Sequence, residues 1–296
     1  MPRAAHVVRK DEEGRTVKSI ALKEMRLSRG FFSSLKFRGG ILLDGVPVHA
    51  DRRVRAGETL EAVWEDEKKS VPIEAHAVPL AIQYEDDHYL IVEKPAPLPT
   101  LSSAQQTGPT LENVLYTILG CPDPYVFRPV NRLDKGTSGL LAIAKDAHAQ
   151  QLLQRQLHSD DFVREYRALC WGHLPQKQGV IDLPIGIERG IKRAVMPDGV
   201  RAVTHYQVED ENETLSLVRL RLETGRTHQI RVHLSSLGCP IVGDYLYGQA
   251  DNRLPGRFAL HACKISFLHP FTGKKVCLES ALPEALAAVW REAKEI

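Results

Sequence analysis

Apolar residues recur along this chain in two rhythms, and the points where the rhythm changes mark its elements. Val17 to Met25 carries the three-to-four-residue spacing of a helix. Ser28 is placed to cap a second helix through Phe31, Phe32, Leu35 and Lys36, which Gly39-Gly40 closes. Ile41-Leu42-Leu43, the turn Asp44-Gly45 and Val46 to Val48 predict a tight hairpin, with a last strand over Thr59 to Trp64. Together these make a unit of about 60 residues, near the lower size for independent folding.

A charged and then Pro/Ala-rich stretch without periodicity follows, and the expected division is 1–66, a linker at 67–79 and a larger domain at 80–296. In the larger domain, Ile82 to Tyr84 and Tyr89 to Val92 read as a hairpin ended by Lys94-Pro95-Ala96-Pro97. Leu111, Val114, Leu115 and Ile118 share a helix face. Leu140 to Ala144 is a core strand, after which Asp146 caps a helix with Ala149, Leu152, Leu153 and Leu157 inward. Val163 to Leu169 and the alternating Leu215 to Glu223 are further strands. Strands and helices without regular alternation predict an α+β class: a mixed, mainly antiparallel sheet with flanking helices, preceded by a small α+β unit. No Gly-x-Gly-x-x-Gly or phosphate-loop motif occurs.

Composition narrows the picture slightly. The chain is 43% hydrophobic, as ordinary soluble domains are. It contains no apolar run of the roughly 18 residues a membrane span requires. Met1 to Arg15 is too charged for a signal peptide, so the cytoplasm is the expected location. Five scattered cysteines without a Cys-x-x-Cys pair argue against a disulfide framework and against zinc, and no metal is expected. Residues 1–65 hold 13 Lys and Arg against 9 Asp and Glu, whereas the remainder holds 26 against 28. Any polyanionic partner would therefore be drawn first to the N-terminal piece, although so mild a surplus also describes a plain solvated surface.

The chemistry centres on Arg132-Leu133-Asp134-Lys135-Gly136-Thr137-Ser138-Gly139, which sets one carboxylate in a polar turn ahead of a buried strand. A second segment, Thr224-Gly225-Arg226-Thr227-His228-Gln229-Ile230-Arg231, reads as a short helix capped by Thr227 and ended by Gly238. Ile230, Leu234 and Leu237 point inward, leaving Arg231 on a partly buried flank. A buried arginine needs a partner, and Asp134 would be kept ionised by it. A purely structural ion pair would be built the same way. Tyr166 lies in a strand, where a tyrosine is commonly a core residue bonded to a carbonyl. His228 and His233 are spaced poorly for a shared metal, and Gly243-Asp244 reads as a turn supporting the pocket.

Taken together, Arg132-Leu133-Asp134-x-x-Thr137-Ser138-Gly139-Leu140, Tyr166-x-Ala168-Leu169, Thr224 to His233, Gly243-Asp244 with Tyr247-Gly248 and Leu260-His261-Ala262 resemble the RluA-type family of RNA pseudouridine synthases, in order, over about residues 80 to 280. Arg26 to Gly30, Gly39 to Gly45 and Val54 to Leu60 resemble the alpha-L RNA-binding domain, with Ser28, Arg29, Lys36 and Arg38 at its RNA-contact positions. The resemblance implies isomerisation of uridine to pseudouridine in ribosomal or transfer RNA by a chain that needs no cofactor and can act as a monomer. In it, Asp134 is nucleophile or base and Arg231 orients it. Tyr166 stacks on the uracil and helps remove the final proton. Arg132 fills the space of the displaced base or contacts phosphate, and Thr137, Arg226, His228 and Gln229 contact substrate or RNA. Asn131 stands where many members have His, and Gly136 where an acidic residue is frequent. The alternative is an RNA-binding or ribosome-assembly protein that keeps the pocket without using it.

Overall fold

Most period-two stretches of the larger domain are joined in one sheet whose central strands are buried on both faces, and two of these strands run in parallel. The computed structural model describes residues 3–65, 73–102, 108–157 and 159–294. The chain divides into two compact units: Met1–Pro72 with Asp123–Val126 and Asp146–Leu152, and Ile73–Pro122 with Phe127–Lys145 and Leu153–Ile296. Of the expected linker, residues 67–72 lie outside the described residues, and 73–79 form neither helix nor strand.

In the first unit, strand β1 (Arg3–Val7) is followed by helices α1 (Val17–Lys23) and α2 (Arg29–Phe37), then by β2 (Ile41–Leu43), β3 (Val46–Pro47) and β4 (Thr59–Val63). The sheet order is β1-β4-β2-β3. Ser28 caps α2 as expected, its Oγ accepting from the Phe31 N–H at 3.0 Å. Asp44 and Gly45 both take positive φ, which a primed two-residue turn requires. Ile20, Leu27, Phe32, Leu35, Ile41 and Leu60 fill the core between helices and sheet.

The second unit contributes β5 (Ala81–Glu85), β6 (Tyr89–Lys94), α3 (Leu111–Ile118) and β7 (Ser138–Ala144). After α4 (Ala147–Gln156) come β8 (Phe162–Trp171), β9 (Gln178–Asp182), β10 (Ile185–Arg189), β11 (Lys192–Val195), β12 (Val203–Glu211) and β13 (Leu215–Leu222). The chain ends with α5 (Gln229–Ser236), β14 (Leu260–Leu268), β15 (Lys275–Glu279) and α6 (Glu284–Glu292). The large sheet runs β5-β6-β7-β14-β8-β13-β12-β9, with β15 also on β14. Every pairing is antiparallel except β7 with β14. The α+β class and the mainly antiparallel sheet are thus as expected, and Asp146 caps α4 through its Oδ1 and the Ala149 N–H at 2.8 Å.

Leu111, Val114, Leu115 and Ile118 share a face of α3 as expected, with Ile118 at its end 41% exposed. Two expectations fail locally. Leu157 lies beyond the last turn of α4. Thr227 caps nothing: His228 holds the N-cap position of α5 at φ +59, with no capping side chain. The polar run preceding α5 is therefore a bent loop that aims His228, rather than a capping box.

The parallel contact of β7 with β14 is short, His261 opposite Ser138 and Ala262 opposite Gly139. It depends on Gly139, which sits at φ +111, and a Cβ there would lie 2.3 Å from the Ala262 carbonyl oxygen. Gly139→Ala is expected to lower the unfolding free energy by roughly 3 kcal/mol, through backbone strain and a collision with backbone that cannot turn aside. Urea denaturation measures it, and a loss under about 1 kcal/mol would show that β7 can retreat from β14 without penalty.

Candidate active site

Asp134 stands in the loop before β7, and the loop is braced from below. The Thr137 N–H donates to the Asp134 carbonyl at 3.1 Å, closing a tight turn, and the Leu98 N–H donates to the Lys135 carbonyl at 3.0 Å. Thr100 Oγ1 donates to the Leu133 carbonyl at 2.7 Å. A Cβ on Gly136 would come within 2.6 Å of the Phe258 ring, so the acidic side chain frequent at this position does not fit here. Asn131 is buried, and its Oδ1 accepts from the Ala142 N–H at 3.3 Å. The Asn131 side chain thus ties the turn to β7.

Arg231 comes to Asp134 from the buried α5. Its Nη1 donates to Asp134 Oδ2 at 3.1 Å. Nε and Nη2 grip both oxygens of the fully buried Asp244 at 2.7 and 2.8 Å. The guanidinium carbon lies 4.3 Å from the Phe258 ring centroid and 4.9 Å from that of Tyr247, so aromatic faces fix the remaining degrees of freedom. Burial opposes the charge on Arg231, but its bonds to Asp244, and then the charge of Asp134, more than offset this and raise its pKa. Asp134 itself remains 29% exposed at the side chain, against 4% for Arg231.

His228 Nε2 lies 4.0 Å from Asp134 Oδ2. Tyr247 Oη accepts from the Arg193 N–H at 2.9 Å and shares a hydrogen bond with His228 Nδ1 at 2.8 Å, which turns His228 Nε2 toward Asp134. Burial lowers the His228 pKa, with Asp134 opposing, so the ring is neutral near pH 7. Tyr166 is 5% exposed, and no described residue hydrogen-bonds its hydroxyl, unlike the core tyrosine that pairs with a carbonyl. Burial raises its pKa; Arg164 counteracts this and the nearby Asp134 charge adds to it.

The remaining expected site residues divide. Arg132 is exposed beside the turn, and Arg226 is exposed with its Nε on the Arg201 carbonyl at 3.1 Å. Thr137 is buried inside the turn. Gln229 is also buried, its amide donating to the Val203 carbonyl and Thr204 Oγ1 at 3.0 Å each and its oxygen accepting from the Arg226 N–H. Gln229 therefore anchors the loop ahead of α5 and presents no free amide to a ligand. In the first unit Ser28 is engaged as a cap, while Arg29, Lys36 and Arg38 are exposed. No group of three His, Cys, Asp or Glu is placed to hold a metal ion among the described residues, and no described helix is long and apolar enough to cross a membrane.

Sequence reasoning missed Lys94 and gave Asp244 too small a part. Gly243-Asp244 was legible as a turn, but the bidentate grip on Arg231 needs coordinates. Lys94 reads as the end of a strand, yet it is fully buried, its ammonium donating to the Leu98 carbonyl at 2.7 Å and the Pro95 carbonyl at 3.1 Å. It thereby holds the segment that braces the Asp134 turn.

Residues 88–236 match the RNA pseudouridylate synthase family. The chain is 36% identical over 282 residues to the uncharacterized RNA pseudouridine synthase YjbO of Bacillus subtilis, covering 92% of this chain and 97% of that one. It is 38% identical over 265 residues to ribosomal large subunit pseudouridine synthase D of Nitrosomonas europaea, covering 84% and 75%. The chain belongs to the RluA-type family of RNA pseudouridine synthases. Among solved structures, human RNA pseudouridylate synthase domain containing 4 superimposes with a TM-score of 0.58 at 25% identity, over 72% of this chain and 92% of that one. The activity is that of an RNA pseudouridine synthase, isomerising uridine within RNA. Nothing in these matches favours a binding protein that keeps the pocket without using it.

Burial lowers the pKa of this synthase's Lys94 from 10.5 to about 7, with Asp134 raising it and Arg257 lowering it further. The unfolded chain then binds the proton more readily than the folded one between those values, so this contribution to stability grows as pH rises above about 7. Lys94→Met removes it. From pH 7 to 8.5, the unfolding free energy of the unaltered protein is expected to rise relative to the Lys94→Met variant by up to about 1.4 kcal/mol per pH unit. Parallel pH profiles in urea denaturation would contradict this.

Proposed function

We propose that Asp134 is the reacting carboxylate, attacking the anomeric carbon of an everted uridine as nucleophile or removing a sugar proton as base. The bond from Arg231, a guanidinium already balanced by Asp244, is the observation that carries this reading. A carboxylate held by one N–H keeps its second oxygen for substrate and its negative charge largely intact. The product has the same atoms as the substrate, so the work is to break one glycosidic bond, retain the uracil while it turns, and rejoin it through carbon 5. Tyr166, with a hydroxyl left unbonded by its neighbours, stacks on the uracil and helps remove the carbon 5 proton. Arg132 occupies the space of the displaced base or meets phosphate at the rim.

The substrate in this reading is large-subunit ribosomal RNA, on the strength of the relatives named as ribosomal large subunit synthases. The first unit acts as an alpha-L RNA-binding module. Arg29 supports this, because a cation in the first turn of a helix opposes the helix dipole and gains nothing for the fold itself. With Arg29, Lys36 and Arg38 meeting phosphates, binding energy offsets the few kcal/mol that everting a uridine costs. In this reading the enzyme acts as a monomer in the cytoplasm.

Asp134→Ala and Asp134→Asn are expected to reduce tritium release from ribosomal RNA transcripts labelled at carbon 5 of uridine by about a thousand-fold or more, the scale of losing a nucleophile or base. RNA affinity should be retained. Tritium release at an undiminished rate from either variant would refute the assignment.

A further inference from the structure

Apart from the Asp134, Arg231 and Asp244 set, the second unit contains another half-buried arginine near the same loop that the reaction above does not use. Arg257 donates from Nη2 to Ser138 Oγ at 3.1 Å. Its Nε is buried and hydrogen-bonded to nothing, and no described carboxylate lies within ion-pair distance of it. Among the described residues the only hydrogen-bond partner of its side chain is a neutral hydroxyl, and that hydroxyl is itself committed. Ser138 donates to His261 Nδ1 at 2.9 Å, His261 Nε2 donates to Ser280 Oγ at 3.0 Å, and Ser280 donates to Glu93 Oε1 at 2.6 Å. Burial lowers the His261 pKa to about 4, so the relay is neutral where it meets Arg257.

This arrangement positions a guanidinium without balancing its charge. Burial alone lowers the Arg257 pKa, which marks a cation waiting for a counter-ion. Its bond to Ser138, four residues after Asp134, and the packing of the adjoining Phe258 on Gly136 hold Arg257 beside the Asp134 turn. There Arg231 has carboxylates for partners, whereas Arg257 has none among the described residues. An entering anion would supply that partner, whereas a uracil carbonyl would accept a hydrogen bond and leave the charge as it was.

We propose that Arg257 is a substrate-positioning residue that binds a phosphodiester adjoining the everted uridine, with the Ser138–His261–Ser280–Glu93 relay holding it in place. The inference rests on the uridine-isomerising reading of the pocket.

Arg257→Gln and Arg257→Lys are compared with the unaltered enzyme on large-subunit ribosomal RNA transcripts tritiated at carbon 5. Arg257→Gln is expected to lose about ten- to a hundred-fold in kcat/KM, as for removal of a charge-assisted hydrogen bond, with Lys recovering part of it. The slope of log affinity against log salt should flatten by about 0.7 to 0.9 in the Gln variant and be preserved in the Lys variant, since one phosphate contact is gone in the first alone. In phosphate-ethylation interference with the unaltered enzyme, a modified phosphate next to the target uridine should block the reaction, a result independent of how the variants fold. An active enzyme with an unchanged salt slope in Arg257→Gln, or with no sensitive phosphate beside the target, overturns the proposal alone. An unaltered enzyme that releases no tritium overturns the reading of the pocket beneath it.

Discussion

A buried guanidinium is costly to keep without a counter-charge, and in this protein the compensation of Arg231 organises the site around it. Asp244 takes two of its N–H groups in a bidentate pair out of contact with water. Leaving either partner alone in such a place typically costs about 3 to 5 kcal/mol, so the pair locks α5 to the loop before Tyr247. Only then is an Nη1 N–H turned toward Asp134. If Asp134 were the sole counter-ion, its charge would be drawn into the pair. With Asp244 already balancing Arg231, the bond orients Asp134 and leaves its other oxygen without a bond from Arg231.

The sheet supplies the second constraint. Asp134 precedes β7, and Phe258 precedes β14, so the single parallel pairing of those strands brings the turn and the aromatic wall of Arg231 to the same end of the sheet. Gly136 and Gly139 let the turn lie directly on Phe258 and on the β14 backbone, and Lys94 and Thr100 hold it from the other side. The position of Asp134 is thus enforced by backbone contacts as well as by charge.

How much of this could be read from sequence depended on whether the signal was local. Ser28, the Asp44-Gly45 turn, the Asp146 cap and the alternation of Val218 and Leu220 with Arg219 and Arg221 were legible because each rests on residues a few positions apart. The pairing of Asp134 with Arg231, 97 positions apart, followed from motifs in order rather than from periodicity. Thr227 misled because a capping pattern presumes an extended residue before the helix, whereas His228 adopts a left-handed turn that tertiary contacts through Tyr247 impose. Lys94 and Gln229 were illegible in their actual parts: a lysine at a strand end reads as solvated, and a glutamine in a polar run reads as exposed. Both are buried, and each donates to a backbone carbonyl whose position no side-chain pattern records.

The same burial bears on the charge of the site. Lys94, with a pKa near 7, is close to the point where it can lose its proton without leaving the fold. Its hydrogen bonds to Leu98 and Pro95 hold the brace, while its charge opposes that of Asp134. A fully protonated Lys94 would add to Arg231 in restraining the carboxylate; a neutral one frees it. Nothing holds Lys94 firmly in either form, since Asp134 favours the charged state and Arg257 and burial disfavour it. The charge around Asp134 is therefore set by a balance, with Arg231 fixing the direction of the carboxylate and Lys94 adding a positive charge that burial weakens.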